Sequence, residues 1–547
     1  CLWCNDPLQL SAAFSMTAHA TKNIWSALKE PFFRNLWIAN IVSLVGSWMH
    51  ETGTAWLMTS ITVSPVMVAL LQTSMTLPFF LMSLPAGALA DIIDRRKLLV
   101  LAQTVMLAAA ASLGILTLLG WVGPVAILVL TFLLGIAAAV NAPTWQAIIP
   151  ELISQDRLQS AVTLGSVAFN VARVAGPILA GVILAIAGPA SVFFVNALSF
   201  IGVIITLIRW KYRQPEQTLP TERFIGAIRT GVGYVRNVSQ VKTVMIRMGI
   251  FSFFGSSLWT FLPIIARVRL KLDPWGFGML MCFFGVGGLL GAVLLPKAGQ
   301  AFRLRPLANI ATVLFAAAIA LLSFSHTFSL TAFGLVVGGI AWLILISTYN
   351  TAILSIVPSW VRGRVMSVFM LVFFGPFAAG STLWGFLGSW LGITRTLILT
   401  SLCTALGIAA TYRRALAEPY GIDLTPSEHW PQFTGTREPD MHEGPILVVV
   451  EYSVEPERLD DFLNAMGSLK KIRMRDGAFR WNLFRETSDP QRFIESFIVV
   501  TWAEYMRQQE RFTVSDGGIV DIVHSCQKAG EPLIIRHFVA QSLRRAK

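Results

Sequence analysis

Charge is what this sequence has least of. Asp, Glu, Lys and Arg make up 13% of its 547 residues, against about 25% in soluble domains, and so little charge excludes a water-soluble fold for most of the length. Acidic residues are scarcest in one region: residues 1–417 hold 10 Asp and Glu against 27 Lys and Arg, whereas residues 418–547 hold 20 against 16. The net charge of +13 is therefore no nucleic-acid-binding surface. The basic excess belongs to the apolar part, where it reads as membrane topology. Cysteine is sparse too. Cys1, Cys4, Cys282, Cys403 and Cys526 are scattered, and Cys1-x-x-Cys4 has no second pair, so neither a zinc site nor a disulfide framework is expected. No phosphate-binding loop of the Walker type is present, which excludes ATP as the direct energy source, and no cofactor is expected. Nothing before Phe32 combines a long apolar core with a small-residue cleavage site, as a cleaved signal peptide would. The chain opens on Cys1, which points to trimming or to a start at Met16.

What the sequence has in abundance is apolar residues, 54% of the chain, with a mean hydropathy of +0.64. A membrane span needs about 20 mostly apolar residues. Twelve such segments are expected, at 35–58, 65–90, 98–119, 124–149, 161–186, 190–209, 243–266, 275–296, 306–324, 329–356, 366–390 and 393–413. Helix is the spanning form, because lipid offers backbone groups no partner and these runs lack strand alternation. The turns at Ser64, Gly123 and Pro189 hold no Lys or Arg, whereas alternate turns hold Arg95, Arg96 and Lys97; Lys211 and Arg213; Arg303 and Arg305; Arg362 and Arg364. Both termini are then cytoplasmic. Arg267, Arg269 and Lys271 dissent on the outer side.

The longest polar interruption in this part, Trp210 to Lys242, divides the spans six and six. Its second part, Thr221 to Arg236, has the pattern of an amphipathic helix on the inner leaflet or of a linker helix. The expected domains are a cytoplasmic segment at 1–31, helical halves at 32–209 and 243–416, linkers at 210–242 and 417–443, and a cytoplasmic α+β domain at 444–547. The halves echo one another: Ile149-Pro150-Glu151-Leu152 before Arg157 resembles Val357-Pro358-Ser359-Trp360 before Arg364.

Between spans 2 and 3, Gly87-Ala88-Leu89-Ala90-Asp91-Ile92-Ile93-Asp94-Arg95-Arg96-Lys97 resembles the signature loop of the major facilitator superfamily. Asp94-Arg95-Arg96 is similar to the subgroup of siderophore and macrolide exporters, while Ile92 and Asp94 depart from the family pattern. Physically, Gly87 permits close helix approach, Asp91 ends a helix, and Arg95 and Arg96 pair with carboxylates and helix ends. Together with Arg364 in the corresponding loop of the second half, they form the expected conformational gate. Fixing topology alone is the blander role for the same cations. Gly176-Pro177 in span 5 is similar to the signature of drug and proton antiporters, and implies a helix bend.

An ionisable residue at membrane depth is costly and points to function. Glu51 is placed to carry a proton, unless span 1 ends early and leaves it at the interface. Arg173, three residues before Gly176, is placed to meet an anionic group or an acidic side chain. Asn141, Trp145, Gln146, Asn170, Tyr349 and Asn350 are candidates for a substrate cavity, although helix-to-helix hydrogen bonding explains any one of them.

Beyond a proline-rich linker, strands are expected at Ile446–Val454, Phe479–Glu486, Arg492–Trp502 and Pro532–Ala540, with helices at Pro456–Arg473 and Glu504–Gln527. The order β-α-β-β-α-β gives a ferredoxin-like sheet. The segment resembles the dimeric α+β barrels of antibiotic-biosynthesis monooxygenases. Trp481, Asn482, Trp502, His524 and His537 could line a pocket, but no catalytic pairing is present, so dimerisation or sensing is favoured over oxidation.

The expected protein is thus an all-α polytopic major facilitator fold with a ferredoxin-like tail, in the inner membrane. It exports a small organic molecule by alternating access, coupled to protons, and is not an enzyme. Its partners are the substrate, the lipid bilayer and, through the tail, a second copy. An importer of the same fold, or a membrane-anchored sensor or monooxygenase, are the alternatives.

Overall fold

The computed structural model describes residues 24–210, 224–411, 439–528, 531 and 533–541. Cys1, Cys4, Met16, residues 211–223 of the first linker and 417–438 of the second lie outside them. The side chains of 88, 90–92, 224–230, 359, 410, 509 and 510 are likewise outside the description.

The apolar part is helical throughout. Its elements are α1 (Pro31–Ile61), α2 (Pro65–Met82), α3 (Pro85–Ile92), α4 (Arg95–Leu118), α5 (Pro124–Leu152) and α6 (Leu158–Arg209), then α7 (Phe224–Asn237), α8 (Ser239–Ile264), α9 (Pro274–Ala301), α10 (Leu304–Phe324), α11 (Phe328–Ile356), α12 (Ser359–Leu391) and α13 (Ile393–Thr411). Local chemistry sets the starts. Proline opens α1, α2, α3, α5 and α9, where its missing N–H is no loss. Asp94 caps α4 by accepting from Lys97 N at 3.1 Å, and Asp273 caps α9 by accepting from Gly276 N at 2.8 Å.

Among the described residues, nine helices are long and apolar enough to cross a membrane. Three differences from the expected segments have clear causes. The span expected at 65–90 is interrupted after Met82, and its end becomes the short α3. The spans expected at 161–186 and 190–209 run together as α6, broken only at Gly188, where φ is 77° and a side chain would be strained. α1 is 31 residues long but carries His50 and Glu51, and falls outside the nine.

Small residues set the helix crossings. A Cβ at Gly339 would collide with the Phe284 carbonyl, and one at Gly176 with Trp48. The two halves meet through α2 with α12 and α6 with α9. Thr73 bonds Thr382 at 2.8 Å, and Gly181 abuts Pro274 and Trp275. These contacts lie toward the end that carries the α1–α2 and α8–α9 turns. Trp121 and Trp390, 75% and 87% exposed at that same end, suit a membrane interface.

The tail is a four-stranded antiparallel sheet of β1 (Ile446–Ser453), β2 (Arg480–Arg485), β3 (Arg492–Val499) and β4 (Ile534–Val539), in the order β2-β3-β1-β4. It carries α14 (Leu459–Arg475), α15 (Trp502–Arg511) and α16 (Val514–Ser525). The single helix expected at Glu504–Gln527 is two, because Thr513 starts α16 with a capping box to Asp516. Alternation works as it should: Ile446, Val448, Val450, Phe493 and Phe497 are buried with Phe462, Met466 and Leu469 of α14. Trp502, expected in a strand, is fully buried at the start of α15.

Candidate functional site

The helices that cross between the halves also frame a cavity. It has about 570 Å³ of empty space, part of it open, and is lined from α1 by Trp48, Glu51, Thr52 and Ala55 and from α2 by Val68, Leu71, Gln72 and Met75. Arg173 and Pro177 of α6, Trp259 and Pro263 of α8, and Met281 and Phe284 of α9 complete it. Both halves therefore contribute.

Two opposite charges face this space. α1 continues for ten residues beyond Glu51, to Ile61, about 15 Å of helix, so the carboxylate is not at the helix end. Arg173 stands fifteen residues from both Leu158 and Gly188, about 22 Å from each, which is mid-depth for a bilayer core about 30 Å thick. Its guanidinium lies 5.1 Å from the Phe284 ring centroid and packs on Gly288, where a Cβ would stand 3.1 Å from Nη1. The charges of Glu51 and Arg173 act on one another, without a direct ion pair among the described residues. His50 points the other way, buried edge-on against Phe193 at 4.9 Å with both ring nitrogens unpartnered.

The expected cavity residues do not join this pair. Asn141 accepts from Gln103 Nε2 at 3.1 Å and so ties α5 to α4. Trp145 packs on a cluster with Leu36 and Ile148. Gln146 is exposed, and Asn170 donates to its own helix at Ser166 O, 2.9 Å away. Tyr349 is buried inside the second half, in a separate cavity of about 270 Å³ with Arg247 and Asn309. Asn350 keeps a buried, unpartnered Oδ1. Polarity within an apolar run marks these positions, but it does not say which face of the helix looks inward. The lining that does is Trp48, Trp259, Met281 and Phe284, whose sequence setting is that of any lipid-facing apolar residue. Arg247 carries a usable mark, a lone cation inside an apolar run. It donates to Asn309 Oδ1 at 3.0 Å and Thr411 O at 3.2 Å.

Gly176 and Pro177, expected to bend the helix, lie inside α6, whose backbone φ/ψ is non-helical only at Gly188 among the described residues. Gly176 serves close packing on α1, and Pro177 lies against Gly278 of the other half.

At the opposite end of the bundle, the loop cations reach across helices. Arg95 donates to Ala147 O at 3.2 Å and pairs with Glu151 on α5. Arg96 donates to Leu207 O at 2.8 Å and Ile208 O at 2.5 Å, the carbonyls ending α6. Gly87 is in open space, since a Cβ there would meet nothing within 4 Å, so the close approach expected of it is absent in this conformation. The side chain of Asp91 lies outside the described residues. Arg364 sits against Gly231 of α7 and faces the tail charges Glu504, Arg507 and Arg511. In the tail, two of the five candidate pocket residues meet, Trp502 lying edge-on to His537 at 5.5 Å, and the five do not all share one face. Trp481 donates to Glu495 at 2.9 Å on the helix-covered face, while Asn482 alternates to the opposite, exposed one.

The family described as transmembrane secretion effector, among the MFS transporters, matches residues 22–545. The chain belongs to this family. Its relatives include the staphyloferrin A transporter of Staphylococcus aureus, 24% identical over 369 residues, 67% of this chain and 92% of that one. The multidrug efflux pump Tap of Mycolicibacterium fortuitum is 23% identical over 381 residues, 66% and 91% of the two chains. The macrolide efflux protein A of Streptococcus pyogenes is 20% identical over 271 residues, 49% and 67%. The fold is that of an inward-facing, unoccupied bacterial homologue of the human lysosomal transporter Spinster, with a TM-score of 0.56 at 14% identity over 70% of this chain and 97% of that one. Nucleoside transporter NupG gives 0.54 at 12% identity over 70% and 99%. Family and relatives are transporters, so this protein is a multi-pass membrane transporter of small molecules and not an enzyme.

Proposed function

We propose that this protein is a proton-coupled exporter working by alternating access, with Glu51 as the proton carrier and Arg173 as the group that meets an anionic or polar part of the substrate. One observation carries the reading. Two opposite charges share a cavity between the halves at mid-depth, unpaired with each other, where an idle charge would be too costly to keep. The apolar lining from Trp48, Trp259, Met281 and Phe284 suits an organic molecule, and the relatives' cargoes are siderophores and drugs.

In this reading the spans number twelve. The break at Gly188 divides α6 into two, and α1 and the 19-residue α13 supply the others. Both termini are cytoplasmic, in the inner membrane. The inter-half contacts toward the opposite end then make this an inward-open form, with Arg95, Arg96 and Asp91 in the gate. The tail is a ferredoxin-like unit of the monooxygenase-like kind, without catalysis; its strand order supports this. A second copy would pair on its helix-free face, where Leu447, Val449, Ile494 and Ile498 are only half-buried and Phe538 is exposed.

The test is uptake of radiolabelled erythromycin and of staphyloferrin A into inside-out vesicles with an acidified interior. An exporter accumulates one of them and Glu51→Gln does not. Accumulation in right-side-out vesicles instead would favour import.

A further inference from the structure

The tail is not a free appendage. Helix α7 lies between it and the transporter, touching α12 on one side and α14 on the other. A Cβ at Gly231 would stand 3.0 Å from Arg364 Cβ, so α7 rests directly on α12. Tyr234, 2% exposed, donates to Ile356 O, the last carbonyl of α11, at 3.3 Å, and lies edge-on to Trp360 at 6.1 Å. Trp360, in the first turn of α12, is covered by the Arg511 guanidinium at 4.5 Å from its ring centroid. Arg511 is itself 4% exposed and donates to Asp476 O at 2.6 Å and Glu504 at 2.5 Å. An arginine suits this place: it stacks its plane on an indole and keeps in-plane donors for the tail.

Helix α12 thus has two attachments. Its first turn holds the tail, and its body holds the other half of the transporter through Thr382 on Thr73 and Phe374 stacked on Phe79 at 4.8 Å. Rocking of the halves moves α12 against α2, because that is one of the two main places where they touch.

We propose that the C-terminal domain is a built-in regulator of transport: clamped on the α11–α12 corner by Arg511 and Trp360, it sets the rate at which α12 shifts against α2. The proposal rests on the alternating-access reading. A state change in the tail, such as pairing with a second copy or binding a small molecule, reaches the cavity through this joint, not through contact with the substrate.

The test uses the full chain in nanodiscs and proteoliposomes. The variants are Arg511→Ala, Trp360→Ala, the two combined, and Trp360→Phe, which keeps a ring. Docking is read as hydrogen-exchange protection of α7, the conformational step as inter-half distances between spin labels on α5 and α11, and transport as ethidium efflux. Each alanine variant should deprotect α7 and change both the distance populations and the efflux rate at least threefold in the same direction. The combined variant should add nothing further, and Trp360→Phe should stay near the parent. Deprotected α7 with unchanged populations would overturn the proposal, as would independent effects of the two residues. If no variant, parent included, transports ethidium, the transport reading loses support, while the distance populations still decide the clamp. Should the alanine variants not fold, the same readings on Arg511→Lys decide it, with a partial shift expected and no shift overturning it.

Discussion

The membrane bundle and the tail bury charge in opposite ways. In the tail, among the described residues, the deep charges have partners of opposite sign. Glu495, fully buried, accepts from Tyr452 at 2.8 Å, Trp481 at 2.9 Å and Arg473 at 3.3 Å, and Arg475 bridges Asp476 and Asp516 at 2.7 Å each. In the bundle, Arg173 has an aromatic ring and a glycine, Arg247 has neutral partners, and Glu51 faces a cavity. Compensated charge holds a fold together, whereas a charge left facing empty space is available to a ligand or a proton. Under the proposed function, the difference separates the ionisable residues of structure from those proposed for transport.

Substitutions sharpen that contrast, and the largest effect belongs to the cavity. Glu51→Gln should reduce proton-driven efflux of erythromycin to background while leaving the amount of folded protein in the membrane unchanged, as measured by vesicle transport and size-exclusion fluorescence. An equally large loss of folded protein would put Glu51 with the structural charges. Glu495→Gln should do the reverse. It leaves Arg473 buried without its counter-charge, and the tail should lose about 3 kcal/mol, read as a lower urea midpoint for protection of β1 amides. Arg173→Lys keeps the charge but loses the planar stack on Phe284, so apparent substrate affinity should fall by about tenfold; binding isotherms check this.

The smallest effect concerns pH. Burial pushes Asp476 up to about 6, against the opposing pull of Arg475. Its folded value thus lies above the ordinary carboxylate value of about 3.9. The folded tail then holds this proton more tightly than the unfolded chain, so the group's contribution is full at low pH and declines as pH rises from about 4 to about 6. Asp516, held below its ordinary value chiefly by Arg475 and Thr513, works in the other direction and loses its contribution as pH falls through the ordinary carboxylate range. Asp476→Asn should remove the decline between pH 4 and 6 in the tail's urea midpoint and leave the acid limb in place. An unchanged profile would assign the decline elsewhere.

Much of the fold was legible because lipid imposes simple rules. Apolar run length located the helices, Pro and Asp marked their starts, and strand alternation gave all four strands of the tail. What stayed hidden depends on helix rotation and on contact between distant segments. Nothing in the sequence around Trp259 or Phe284 says that they face the cavity between the halves, and nothing around Tyr349 says that it faces a different one. Glu51 and Arg173 could be picked out because charge is so rare there. Glu151 lay within a recognisable repeat, yet only the packing of α4 on α5 makes it the partner of Arg95. The joint of Arg511 with Trp360 spans 151 residues of chain and has no local mark.

The most direct test of the account is proton flux itself. Purified protein in liposomes carrying an internal pH dye, with an imposed pH gradient, should move protons when erythromycin or staphyloferrin A is supplied on the side from which it is exported, and Glu51→Gln should not. Substrate movement with no accompanying proton flux, or proton flux that survives Glu51→Gln, would contradict it.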